Sequence, residues 1–122
     1  MPEPILVCVV DDDVSVREAL PDLLKELGFS VRTFSSAEAF LNSGVLQQTR
    51  CLILDIALPG ISGPDLRDEL ARRKVDIPIV FITAHAEVLT RPDEIKGAAA
   101  GLVKPFTDAA LLNALKTALR KT

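Results

Sequence analysis

Apolar positions along this chain keep two rhythms. Short unbroken apolar runs occupy residues 5–10, 51–54 and 79–82, the pattern of strands buried on both faces, here expected over 5–10, 50–55 and 77–82. Between them apolar residues recur three and four apart. Val16, Ala19, Leu20, Leu23, Leu24 and Leu27 mark a helix over residues 14–27, closed by Gly28 where a left-handed residue ends a helix. Pro21 falls about two turns inside it, and its missing N–H predicts a kink or an unpaired carbonyl.

Residues 30–34 form a shorter, more polar strand suited to a sheet edge. Ser35 or Ser36 caps a helix that runs to about residue 45. After the third strand, Pro59, Gly60 and Gly63 make residues 58–63 a loop. A helix follows over 64–73 with Pro64 in its first turn. Residues 84–98 keep poor helical spacing, and Pro92 interrupts whatever helix forms there. Residues 102–103 make a brief fifth strand. Thr107 or Asp108 caps a last helix with Leu111, Leu112, Leu115 and Leu119 on one face. This alternation predicts an α/β fold of type (βα)5. It is a doubly wound, five-stranded parallel sheet in one domain over residues 1–122.

Composition narrows the class. A net charge of −3 with scattered basic residues gives no reason to expect direct nucleic-acid binding. Arg72-Arg73-Lys74 and Arg120-Lys121 read as last turns of helices, where cations suit the dipole. Cys8 and Cys51 lie inside apolar strands, so they read as buried free thiols, which favours the cytoplasm. No apolar run approaches the ~20 residues that span a bilayer. The opening residues Met1 to Pro4 lack a basic start and a following signal-peptide core.

The candidate chemistry sits at the ends of the strands. Asp11-Asp12-Asp13, Asp55, Thr83 and Lys104 each terminate an apolar run. In a parallel sheet these ends share one edge, where open α/β sheets bind ligands. One Asp is explained as a helix cap. Three in a row beside Asp55 would repel one another unless a cation lies between them, and Mg2+ suits such oxygen donors. Asp55 is a nucleophile or a metal ligand; a carboxylate can attack phosphorus to give an acyl phosphate. Thr83 and Lys104 could hold phosphoryl oxygens. Lys104-Pro105 suits a sharp turn with a cis bond. His85, the single histidine, reads as an exposed loop residue.

Taken as a set, these residues resemble the receiver domain of bacterial two-component response regulators. The resemblance runs from about residue 5 to 119. It rests on Val9-Val10-Asp11-Asp12-Asp13 with Ser15-Val16-Arg17-Glu18-Ala19-Leu20, on Leu54-Asp55-Ile56-Ala57-Leu58-Pro59-Gly60-Ile61-Ser62-Gly63, on Phe81-Ile82-Thr83-Ala84-His85 and on Lys104-Pro105-Phe106. It implies a flavodoxin-like sheet in strand order 2-1-3-4-5. It implies that Asp55 accepts a phosphoryl group from a sensor histidine kinase or phosphotransfer protein. Asp12, Asp55 and the Ala57 backbone carbonyl would bind Mg2+, with Asp11 acting mainly through a water and Asp13 at a variable position. Thr83 and Lys104 would contact the phosphoryl oxygens and pass the change to the face of helix four, strand five and helix five, where a homodimer could form. Such domains catalyse their own phosphorylation and dephosphorylation and are not counted as enzymes. The relatives often precede a DNA-binding domain, and none is expected within these residues.

The chain departs from the family in two places. The aromatic residue expected three before the lysine is Gly101, and no Phe, Tyr or Trp occurs from residue 84 to 105. The stretch between Thr83 and Lys104 is about one residue short and holds Pro92. Switching is therefore expected to move or order residues 86–98 rather than flip an aromatic ring. Two other readings compete. Asp11-x-Asp13-x-Ser15 is similar to a haloacid-dehalogenase motif, with Asp11 as nucleophile and Asp13 as acid/base, but a late acidic pair and room for a cap are missing. A pseudo-receiver acting as a plain interaction module is the other; intact acids, Thr83 and Lys104 oppose it.

Overall fold

The structure is a computed structural model and describes residues 4–120. The reading of residues 1–3 as part of a start without a signal peptide, and of Lys121 as a helix-end cation, lies outside the described residues. Five strands, β1 (Leu6–Val10), β2 (Ser30–Phe34), β3 (Thr49–Asp55), β4 (Ile79–Thr83) and β5 (Ala100–Val103), form one sheet in the order β2-β1-β3-β4-β5. Every pairing is parallel. Helices α1 (Val14–Glu26), α2 (Ala37–Leu41), α3 (Gly63–Arg72), α4 (Pro92–Ile95) and α5 (Asp108–Leu119) connect them, with a 3-10 turn at Ala86–Thr90.

Alternate strand residues point to opposite faces, and each face has its own core. Cys8, Val10, Leu52, Leu54 and Phe81 meet Phe40, Leu66 and Leu70 from α2 and α3. Val7, Val9, Cys51, Ile53, Val80 and Ile82 meet Leu20 and Leu24 of α1 and Leu111 and Leu115 of α5. The two cysteines are free and buried, as expected, and lie on opposite faces.

Register decides what gathers at the carboxyl edge. Val10 pairs with Leu54, Asp55 with Ile82 and Thr83 with Val103. The residue that ends or directly follows each strand is therefore delivered in steps along one edge: Asp11 beside Asp55, then Thr83, then Lys104. Gly28 ends α1 at φ +96 as the sequence implies, and α1 runs through Pro21 without a break. Lys104-Pro105 is cis.

Several boundaries differ from the sequence reading. Helix α2 stops at Leu41 instead of about residue 45. Ser43 Oγ donates to the Phe40 carbonyl at 2.6 Å and Gly44 turns left-handed at φ +80, which together end the helix. Strand β4 begins at Ile79 rather than residue 77, because Pro78 has no N–H to give the ladder. Strand β5 is longer than expected and starts at Ala100. Helix α3 starts one residue early, at Gly63, with Ser62 as its cap. Residues 84–98 resolve into the 3-10 turn and a single helical turn begun by Pro92.

Candidate functional site

Asp11 follows β1 and is fully buried, with Asp12 exposed beside it. The turn into α1 is built by the acids themselves. Asp13 N donates to Asp11 Oδ1 at 2.9 Å, and Asp13 Oδ1 accepts from Ser15 N at 2.9 Å. Asp13 is thus the cap of α1. Arg17, one turn into α1, reaches back and donates to the Asp11 carbonyl at 2.9 Å. The sequence reading missed Arg17, and its spacing four residues after Asp13 was the one available signal.

Asp55 closes β3, nearly buried, with Oδ1 accepting from Ala57 N at 3.2 Å. Lys104 Nζ lies 2.8 Å from Asp11 Oδ2 and 3.3 Å from Asp55 Oδ2. The first contact is close but poorly aligned, so the buried Asp11 Oδ2 has an ion-pair partner and no hydrogen bond. Burial pushes the Asp55 carboxyl up to about 6, and the neighbouring Asp11 adds to the rise; Lys104 and the Ala57 N–H pull the other way. Burial alone would lower Lys104, yet its contact with Asp11 and the charges of Asp55 and Asp11 hold its ammonium above the usual lysine range.

Asp11, Asp12 and Asp55 each offer an oxygen within 4.8 Å of the others. An all-oxygen donor set suits a hard divalent cation of the Mg2+ type. The orphaned Asp11 Oδ2 and the raised Asp55 carboxyl mark a site that one ammonium leaves short of positive charge.

Thr83 is buried at the end of β4. Its Oγ1 accepts from His85 N at 3.0 Å and gives only a long 3.5 Å bond to the His85 carbonyl. The His85 ring is exposed and 3.8 Å from Glu87, as its loop position implied. Beside the acids runs a groove of about 560 Å3, lined by Val16, Ala19, Leu20 and Leu23 of α1 and by Pro105 and Phe106; Lys104 borders it. Asp11, Asp12, Asp13, Asp55, Thr83 and Lys104 all stand at one edge. Ala57 enters through its backbone on the loop after β3.

A family model described as the response regulator receiver domain matches residues 7–116. Nodulation protein W of Bradyrhizobium diazoefficiens is 43% identical over 117 residues, covering 95% of this chain and 52% of that protein. The structure of response regulator StyR is 45% identical with a TM-score of 0.87, over 96% of this chain and 60% of that one. Response regulator protein TrrA from Thermotoga maritima, solved in complex with Mg(2+)-BeF, is 31% identical with a TM-score of 0.83, over 93% of this chain and 98% of that one. The chain spans about half the length of the curated relatives it matches. With the family match across both cores and all four strand ends, the chain belongs to the response regulator receiver domains.

Proposed function

We propose that Asp55 is the phosphoryl acceptor of a two-component signalling step, and that the donor is a phosphohistidine on a sensor histidine kinase or phosphotransfer protein. The observation that carries this reading is the delivery of Asp11, Asp12, Asp55, Thr83 and Lys104 to one edge by the strand register. A carboxylate oxygen of Asp55 attacks phosphorus. The O–P bond forms as the N–P bond breaks, and the electron pair stays on the departing imidazole nitrogen. Water later reverses the modification by hydrolysing the acyl phosphate.

Each neighbour has a part. Lys104, already on Asp55 Oδ2, transfers its charge to a phosphoryl oxygen as the carboxylate is consumed. Thr83 gives up its long bond to the His85 carbonyl and donates to a second oxygen. Asp12, Asp55 and the Ala57 backbone carbonyl would hold Mg2+, with Asp11 acting through a water, and the site would thereby gain positive charge facing the phosphoryl oxygens. Arg17 and the Asp13 cap keep the acidic turn in place. The groove along α1 seats an apolar face of the partner next to the acceptor.

In this reading the chain is one self-modifying receiver domain rather than an enzyme in the usual sense, working in the cytoplasm where both buried thiols stay reduced. Its output is a shifted two-state equilibrium, with the face of α4, β5 and α5 available to a second copy. Among the described residues no helix is long and apolar enough to cross a membrane.

Incubation with acetyl phosphate and Mg2+, followed by intact mass and peptide mapping, tests the proposal. One phosphoryl group at Asp55, missing in Asp55→Asn, is expected. Modification elsewhere, or failure of the folded protein to bind Mg2+, would overturn it.

A further inference from the structure

We infer that Leu89, lodged over Gly101, is the positioning residue that latches the segment 84–98, and that phosphorylation of Asp55 releases it. This deepens the receiver reading and rests on it. No residue from 84 to 104 is fully buried; Val88, Leu89, Ile95 and Ala98 pack partly buried against the core on the α2 and α3 face. Three further contacts hold the segment, one at each end and one in the middle.

At the entry, the N–H of His85, the residue that starts the 3-10 turn, donates to Thr83 Oγ1 at 3.0 Å. At the exit, Arg67 of α3 spans the last carbonyls. Its Nη1 donates to Glu94 O at 2.7 Å and Lys96 O at 3.1 Å, and its Nη2 to Asp93 O at 3.3 Å. In the middle, Leu89 lies against Gly101 of the edge strand. A Cβ on Gly101 would fall 2.8 Å from Leu89 Cδ2, closer than carbon atoms approach, and a tight 3.3 Å from Cδ1. Any side chain at 101 would push the leucine methyls out of this position. Gly101, the family departure in the sequence, therefore has a positive structural partner.

The entry contact couples the latch to the chemistry. A phosphoryl oxygen is a charged acceptor and outcompetes the long bond from Thr83 to the His85 carbonyl. Turning the Thr83 side chain toward Asp55 gives up the His85 N–H. Val88 N bonds the His85 carbonyl at 3.1 Å, so a shift at His85 moves the turn that carries Leu89. Leu89 then leaves Gly101, and β5 loses its cover.

Linkage supplies the test. If the phosphorylated state is the released one, weakening the latch raises the population of the state that a phosphoryl mimic binds, and so must tighten the mimic's apparent affinity. Leu89→Ala empties the seat and Gly101→Val fills it; both are expected to bind beryllium fluoride with Mg2+ on the order of five-fold tighter or more, read by fluorine NMR titration. In both, the amides of Val88, Arg91 and Glu94 should exchange faster before any ligand is added, as they do in the parent protein only after it. Leu89→Met, which keeps the volume, should restore parental affinity. Faster exchange with unchanged affinity in both variants overturns the latch, because a merely structural residue does that. If the parent binds neither Mg2+ nor beryllium fluoride, the receiver reading itself has failed and the latch goes with it. If the parent binds them and exchange at these amides does not change, the latch alone is wrong.

Discussion

The two halves of the carboxyl edge are built to opposite standards. Asp11 and Asp55 end β1 and β3, whose residues from Val7 to Val10 and from Cys51 to Leu54 are fully buried. The side from Ala84 to Lys104 has no buried residue and is tied down by contacts from elsewhere. The cations differ as well: Lys104 reaches buried carboxylates, whereas Arg67 reaches backbone carbonyls of the outer segment. Chemistry that needs atoms held in place sits on strands that cannot move without unfolding the domain. A response that needs motion sits where few contacts must break. The local stability of the two halves is thus matched to what each is asked to do.

Removing Lys104 probes the stiff half and has the largest expected effect on stability. In Lys104→Ala, Asp11 keeps its buried charge and loses its ammonium, a change that costs about 3–5 kcal/mol when a buried pair is broken from one side. Urea unfolding in EDTA, followed by far-UV circular dichroism because the chain has no Trp or Tyr, should show that loss. Mg2+ should recover more stability for this variant than for the parent, since a divalent cation takes over the missing charge. Equal destabilisation with and without Mg2+ would mean that the acids and the ion do not share the site.

Asp55 gives a second probe through pH. Its folded-state carboxyl titrates near 6, above the ordinary 3.8, chiefly because of burial and then because of Asp11. A raised carboxyl means that the folded state binds the proton more tightly than the unfolded state. This contribution to stability is complete below about pH 4 and is lost as pH rises through about 6. In EDTA, thermal unfolding across that window should show the parent falling relative to Asp55→Asn, so that the variant is the more stable protein at neutral pH. Mg2+ should narrow the gap by stabilising the ionised acid. A gap that stays flat from pH 4 to 7 would refute the assignment of the strain to Asp55.

The difference between the halves also marks what the sequence could disclose. Strands buried on both faces write themselves as unbroken apolar runs, so β1, β3 and β4 were legible and their terminal Asp, Asp and Thr came with them. Register followed from parallel pairing, and the convergence of the site followed from register. The soft half left weaker traces. Gly101 was visible as a gap in an expected pattern, but Leu89, which lies over it, is twelve residues away on a turn with no helical period. Arg67 bonds carbonyls 26 to 29 residues away, and backbone acceptors carry no sequence signal at all. The end of α2 was misplaced for a related reason: Ser43 stops it by bonding a carbonyl, and serine in a helix-like stretch looks neutral until that bond is seen.

Arg67 offers the finest cut, because it separates local from global stability. Its planar fork serves Asp93, Glu94 and Lys96 with two nitrogens, an arrangement that an ammonium on a flexible stem does not reproduce. Arg67→Lys keeps the charge and most of the stem, so its packing near Ile56 and Pro64 survives. The carbonyls of Asp93, Glu94 and Lys96 lose these donors, and only the Ala98 N–H on the Ile95 carbonyl is left to close the four-residue helix. Global unfolding should therefore shift little, by roughly 0.5 kcal/mol or less, because the lost bonds hold a segment that opens apart from the sheet. Amide exchange at Glu94, Ile95 and Ala98 should rise well above that at Val80 or Leu52, whose strands open only with the whole domain. A uniform rise across the sheet would show that the two halves share one stability after all. A rise confined to the segment would show that the domain keeps its acceptor site and its reporting surface under separate control.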